Sequence, residues 1–300
     1  MKPDFSRLIL HQNTKTQLEA FYQHPANALL ILGRIGSGKL TIARHLSAWL
    51  LDVDAAKLPN HPEFLLISKP PDKSEISIDS IRRLISKMAL KVPSGHENTA
   101  PINRVVLIEN AGDMSLEAQN AMLKLLEEPP IGTLLVLTAD SADDLLSTVV
   151  SRTQTIKIIA PDLEQSQDYF KHSYDTPAIE SAYKLSQGSP GLLSALLEEQ
   201  SGHPLKIGVE QAKKFLKQST YQRLIELRSI SKDRTQFIIF LDALSRVLSV
   251  LHTESIRANK SKNAAKILGA RQVVERALSQ SGTNANQRLS YLALALDIPL

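Results

Sequence analysis

The residues best suited to phosphate chemistry are Gly33-Arg34-Ile35-Gly36-Ser37-Gly38-Lys39-Leu40. They follow an apolar run and open a helical pattern, which is the context of the P-loop G-x-x-x-x-G-K-[ST]. Glycines let consecutive backbone N–H groups converge on phosphate oxygens, and the helix N-terminus adds positive potential. Gly33, Gly36, Gly38 and Lys39 are therefore the expected nucleotide-binding residues, with Lys39 reaching the outer phosphates as a point charge. The last position departs from the pattern. Leu40 replaces the Ser or Thr hydroxyl that would ligate Mg²⁺, and a hydrocarbon has no lone pair for the metal. Thr41 is adjacent, but one residue along a helix is a rotation of about 100°, so its hydroxyl is expected to point elsewhere.

A second acidic motif follows at Val105-Val106-Leu107-Ile108-Glu109-Asn110. Four apolar residues before the acidic position have the form of a Walker B strand. Glu109 is a candidate for holding a metal. Asn110 stands where a Glu would polarise the attacking water. An amide has no basic lone pair at neutral pH, and a missing general base typically costs about 10²–10⁴ in rate. The bland reading of Glu109 is the end of a strand.

The elements that position these residues read as a parallel α/β layer. Apolar runs at 28–32, 63–67, 104–109, 133–138 and 155–159 are strand candidates, and residues 39–51, 79–91 and 115–127 carry helical spacing. Asp79 is the expected N-cap of the second of these helices. Pro129-Pro130 stops the third. Strands buried on both faces and alternating with helices imply a parallel sheet. Beyond Pro161 the strand signals cease. Residues 162–200 read as short helices around Gly188-Ser189-Pro190-Gly191, residues 201–204 as a linker and 206–298 as helices throughout. The expected plan is a P-loop core over 1–160, a small helical lid over 161–204 and an all-helical domain over 205–300.

Composition narrows the function classes. Cysteine is absent, which excludes disulfides and thiolate zinc sites, and the eight His residues are scattered, so no metal site is expected. The first ten residues break their apolar positions with charges, so neither a signal nor a transit peptide is expected there. The apolar runs are short, so no membrane span is expected and the location is read as cytoplasmic. The net charge of +4 is unevenly placed: residues 206–300 hold 16 Lys and Arg against 7 Asp and Glu. That basic third suits either nucleic acid or an acidic partner, and equally a solvated helical face.

Several segments carry a family resemblance. Asn120-Ala121-Met122-Leu123-Lys124-Leu125-Leu126-Glu127-Glu128-Pro129-Pro130 resembles the NALLKTLEEPP signature of the clamp-loader AAA+ subunits of bacterial DNA polymerase III. Ser151-Arg152-Thr153 resembles their SRC motif, and Leu145–Val150 the stretch before it. His61-Pro62-Glu63-Phe64 and Ile78-Asp79-Ser80-Ile81-Arg82 resemble segments of the delta-prime family, as does Asn284–Leu289 near the C-terminus.

The resemblance implies an AAA+ core, a helical lid and a helical collar that closes a five-subunit ring. It implies gamma/tau and delta subunits as partners, and action on the sliding clamp and primed DNA through the complex. It implies Arg152 as an arginine finger acting in trans on the ATP of a neighbouring subunit; the bland reading is an Arg paired structurally within the core. Thr138 falls at the family's sensor-1 position and Leu192 near the place of its sensor-2 Arg. Arg82 and Arg83 are candidates for contact with DNA phosphates, and equally for a solvated helix face. Leu40, Asn110 and Leu192 each remove a different part of a hydrolytic site, so intrinsic ATPase is expected to be lost and the chain's own nucleotide binding weak or absent. The four-Cys zinc module common in the family is missing. The alternative role, an active gamma/tau-like ATPase, needs the hydroxyl and the carboxylate that Leu40 and Asn110 deny.

Overall fold

A computed structural model describes residues 3–89, 102–198, 202–281, 292, 294–296 and 298. Contacts divide the chain into two compact units, Met1–Gln165 and Ser166–Leu300. The expected division between lid and collar at 204 lies inside the second unit.

The first unit is built on five parallel strands: β1 (Ala28–Leu32), β2 (Phe64–Ile67), β3 (Arg104–Ile108), β4 (Thr133–Ala139) and β5 (Gln154–Lys157). Their order across the sheet is β2-β3-β4-β1-β5. β1, β3 and β4 are buried along their whole length, as their unbroken apolar runs require when both faces of a sheet are covered. β2 and β5 form the edges; Leu66 of β2 is exposed, as are Gln154, Thr155 and Lys157 of β5.

The helices of this unit are α1 (Gln12–Gln23), α2 (Lys39–Leu50), α3 (Ile78–Ala89), α4 (Leu116–Glu127) and the single turn α5 (Ser147–Val150). One face of the sheet packs against Leu46 and Trp49 of α2 and Leu18 and Phe21 of α1. The other packs against Ile81 and Leu84 of α3 and Met122 and Leu125 of α4. The helix expected over 79–91 begins one residue early, at Ile78. Asp79 is therefore not its cap. It lies in the first turn, where its charge complements the helix dipole. Residues 90 and 91 of that expected helix lie outside the described residues, as does the 284–289 segment.

The second unit is helical. α6 (Leu163–Phe170) crosses the division, followed by α7 (Thr176–Ser186), α8 (Pro190–Leu197), α9 (Pro204–Leu216), α10 (Thr220–Ile230), α11 (Arg234–Arg257) and α12 (Ser261–Ser281). α11 packs against α7, α9, α10 and α12. By length and composition α11 alone among the described residues would suffice to cross a membrane. Here it buries Phe237, Phe240, Leu241, Leu244 and Leu248 inside the unit. Gly208 of α9 sits where a Cβ would come within 3.0 Å of Ile239, so its missing side chain sets how closely α9 approaches α11.

Candidate functional site

The phosphate loop leaves the C-terminal end of β1 and feeds α2, as the sequence pattern requires. Gly36 and Gly38 adopt positive φ, 80° and 82°, which a side chain would strain. At Gly33 an added Cβ would come 2.4 Å from Ser37 Oγ, so the loop closes tightly on itself. Lys39 opens α2, and its ammonium lies 2.5 Å from the Asp140 carboxylate just beyond β4. The lysine side chain is only 14% exposed. Leu40 packs against the cluster that includes Leu46 and Trp49, while Thr41 faces solvent. An apolar side chain thus stands where the P-loop pattern has Ser or Thr.

The exit of β3 shows a second departure. Asn110 has φ 49° and ψ 66°, the left-handed region. Its backbone N–H donates to Thr138 Oγ1 at 2.9 Å, and its Nδ2 donates to Asp113 Oδ2 at 2.9 Å. Thr138 is buried and ties the end of β4 to the end of β3. Glu109 donates its backbone N–H to the Ile67 carbonyl at 2.8 Å and is partly exposed. Beyond Asp140 the acidic group continues with Asp143 and Asp144. Desolvation raises the Asp144 pKa, and the neighbouring Asp140 and Asp143 carboxylates raise it further, against lowering by the Ser141 N–H and Lys39.

Arg152 lies in the turn between α5 and β5. Its Nε donates to Glu127 Oε1 at 2.7 Å, and its Nη2 lies 2.5 Å from the same oxygen. Its Nη1 donates to the Thr148 carbonyl at 2.9 Å. The arginine side chain is 34% exposed. Thr153, in the place of the motif's Cys, donates to the Val150 carbonyl. Buried Gln119 of α4 accepts from the Leu146 N–H at 2.8 Å and so holds the two motif-bearing segments together.

A sequence profile described as "DNA polymerase III, delta subunit" matches residues 10–162, just over half the chain. The chain belongs to the DNA polymerase III delta-prime family. Delta-prime subunits are similar to it at 30% identity in Pseudomonas aeruginosa (68% of this chain, 65% of the relative). The Haemophilus influenzae relative is 28% identical (70% and 64%). The chain thus spans a little under two thirds of the length of these relatives. Among solved structures, a DNA polymerase III gamma subunit-related protein from Thermotoga maritima superposes with a TM-score of 0.50 at 18% identity, covering 94% of this chain and 97% of its own. A variant of Thermotoga maritima RuvB gives 0.50 at 14% identity, covering 98% and 91%. At these identities the likeness concerns the fold, which is that of AAA+ proteins.

The matched span of the delta-prime family holds the phosphate loop, Glu109, Asn110, Thr138 and Arg152. Arg82 and Arg83 lie on the exposed side of α3. Arg82 approaches Asp79 at 3.9 Å, and Arg83 donates to the Asp79 carbonyl and lies 3.5 Å from Ser80 Oγ. Leu192 is buried in α8 and presents no polar group. Asp140, Glu127 and Gln119 are the site residues that sequence reasoning missed. Their signal is distance in space across long separations in sequence. Only the family segment Asn120–Pro130, which contains Glu127, hinted at one of them; Gln119 lies just before it.

Proposed function

We propose that this chain is a non-hydrolysing delta-prime subunit of a DNA polymerase III clamp loader. It donates Arg152 in trans to the ATP of a neighbouring subunit. The observation that carries the reading is the state of its own phosphate loop: Leu40 turned onto the hydrophobic core, with Lys39 held by Asp140. A loop so arranged offers backbone N–H groups to phosphate but no hydroxyl for Mg²⁺. Asn110 then offers no base for water. Such a chain serves hydrolysis by supplying charge to another site, and a finger in trans can be worth about 10³–10⁵ in rate. A partly exposed guanidinium at the motif position suits that task.

Its partners in this reading are gamma/tau and delta subunits in the cytoplasm, with the sliding clamp and primed DNA engaged through the complex. The helices of residues 205–300 serve as the collar of the ring, and those of 161–204 as the lid. Arg82 and Arg83 touch DNA phosphates without reading sequence. Arg82→Ala would then lower the salt slope of DNA binding by the assembled ring, and an unchanged slope would exclude the contact.

The deciding experiment is reconstitution with gamma/tau and delta. R152A is expected to lower the ATPase and clamp-loading rates of the assembly without dissociating it, while the isolated chain shows no turnover. Brisk hydrolysis by the chain alone, or an R152A assembly as fast as the wild type, would refute the proposal.

A further inference from the structure

We infer that Glu127 is a positioning residue for Arg152, fixing the guanidinium in one orientation with its phosphate-binding donors left open. The inference rests on the finger role proposed above and adds a second residue to it.

Guanidinium carries five N–H donors in a rigid fork. The Nε–H is committed to Glu127 Oε1, and Nη2 reaches the same oxygen. One Nη1 donor is committed to the Thr148 carbonyl. Among the described residues this leaves one N–H on each of the two terminal nitrogens, and a pair of that kind can meet a phosphate bidentately. A carboxylate that sequestered the finger would take those donors; Glu127 takes the Nε side instead.

The backbone under the anchor is well placed, while the Glu127 side chain itself is 49% exposed. Glu127 is the last residue of α4, where the helix dipole favours a cation. The chain then enters Glu128, Pro129 and Pro130, and the prolines restrict the backbone that follows. On the other side, the Thr148 carbonyl accepts from Ser151 Oγ at 3.2 Å as well as from Arg152. Gln119 spans from the body of α4 to Leu146, one residue before α5. Two segments 25 residues apart in sequence are thus clamped at the carboxylate and at the carbonyl that orient one side chain. Without Glu127, a long flexible side chain would sample several rotamers, and a misplaced group loses rate even when its chemistry is intact.

The test uses the reconstituted clamp-loader assembly. E127A is expected to reduce its ATPase kcat about 3- to 10-fold, with a smaller loss than R152A. E127Q keeps an acceptor oxygen for Nε and is expected to recover most of the rate. The E127A/R152A double variant should be no slower than R152A alone, because Glu127 acts only through that arginine. Thermal unfolding of the free chain should be unchanged by E127A, which separates positioning from a structural role. A faster E127A assembly would mean that the carboxylate restrains the finger, and would overturn the inference. So would an E127A assembly at wild-type rate beside an impaired R152A. If R152A itself were at wild-type rate, the finger reading would fail instead.

Discussion

Lys39 and Asp140 stand 101 residues apart in sequence, yet their charged groups meet at 2.5 Å across the mouth of the phosphate loop. The carboxylate occupies the ammonium that a nucleotide phosphate would need. An arriving anion therefore competes with this carboxylate for the ammonium. D140N removes the competing charge and is expected to strengthen binding of ATP or pyrophosphate severalfold over the wild type, as read by isothermal titration calorimetry. Mg²⁺ should add little to either protein, because Leu40 offers it nothing. Equal affinities in the two proteins would show that the pair does not guard the loop.

How much of this was legible in the sequence depended on the range of the interaction. β1, β3 and β4 were readable because a strand buried on both faces is predominantly apolar. The edges were less sharp: β5 starts and ends before the expected 155–159, since one covered face imposes a weaker pattern. Glycine spacing placed the phosphate loop, and the change at Leu40 was visible at once. The Lys39–Asp140 and Arg152–Glu127 pairs were not, because no local pattern specifies which carboxylate meets which cation across a fold. Asn110 was read only as a missing base. Its left-handed backbone is a second reason for that residue type, and the turn formed with Ala111 and Gly112 creates it.

That conformation makes a glutamate at position 110 costly. Asn tolerates the left-handed region better than Glu, whose longer side chain gains no local hydrogen bond there. N110E also loses the 2.9 Å donation to Asp113 and sets two carboxylates near each other. We expect a destabilisation of about 1–2 kcal/mol, measured by urea unfolding, and no gain of ATPase in the isolated chain. A variant as stable as the wild type would show that the backbone at this position relaxes freely.

Asp144 gives the acidic group a pH signature. Its stem packs on Gly112, where an added Cβ would come within 2.8 Å, and its Oδ2 accepts from the Ser141 N–H at 2.9 Å. Desolvation, with Asp140 and Asp143 nearby, raises its pKa above the ordinary 3.8. A carboxyl shifted upward holds its proton longer in the folded than in the unfolded chain. Its favourable contribution is present below 3.8 and is lost as pH rises through the folded value. D144N keeps an acceptor for Ser141 and removes the titration. Its melting temperature relative to the wild type should therefore increase between pH 3 and pH 7. A constant difference across that range would contradict the assignment.

In the second unit, Arg223 is buried, and it donates to backbone carbonyls. Nε reaches Phe215 O at 3.2 Å, Nη2 reaches Leu216 O at 3.2 Å and Nη1 reaches Ile298 O at 3.4 Å. Phe215 and Leu216 end α9; Phe215 O also accepts from the Gln218 N–H at 3.2 Å, and the guanidinium adds a second donor there and one at Leu216 O. Its carbon also lies 5.3 Å from the centre of the Phe215 ring. R223M preserves much of the side-chain volume and removes every donor, whereas R223K keeps the charge without the fork. Charge-assisted hydrogen bonds to buried acceptors predict a loss of about 2–4 kcal/mol for R223M, with R223K recovering less than half of it. Chemical denaturation of the full chain reads both values. Because one bond reaches Ile298, R223M should also speed proteolysis from the C-terminal end. Wild-type stability in R223M would mean that water or neighbouring N–H groups satisfy those carbonyls, leaving the guanidinium to fill space alone.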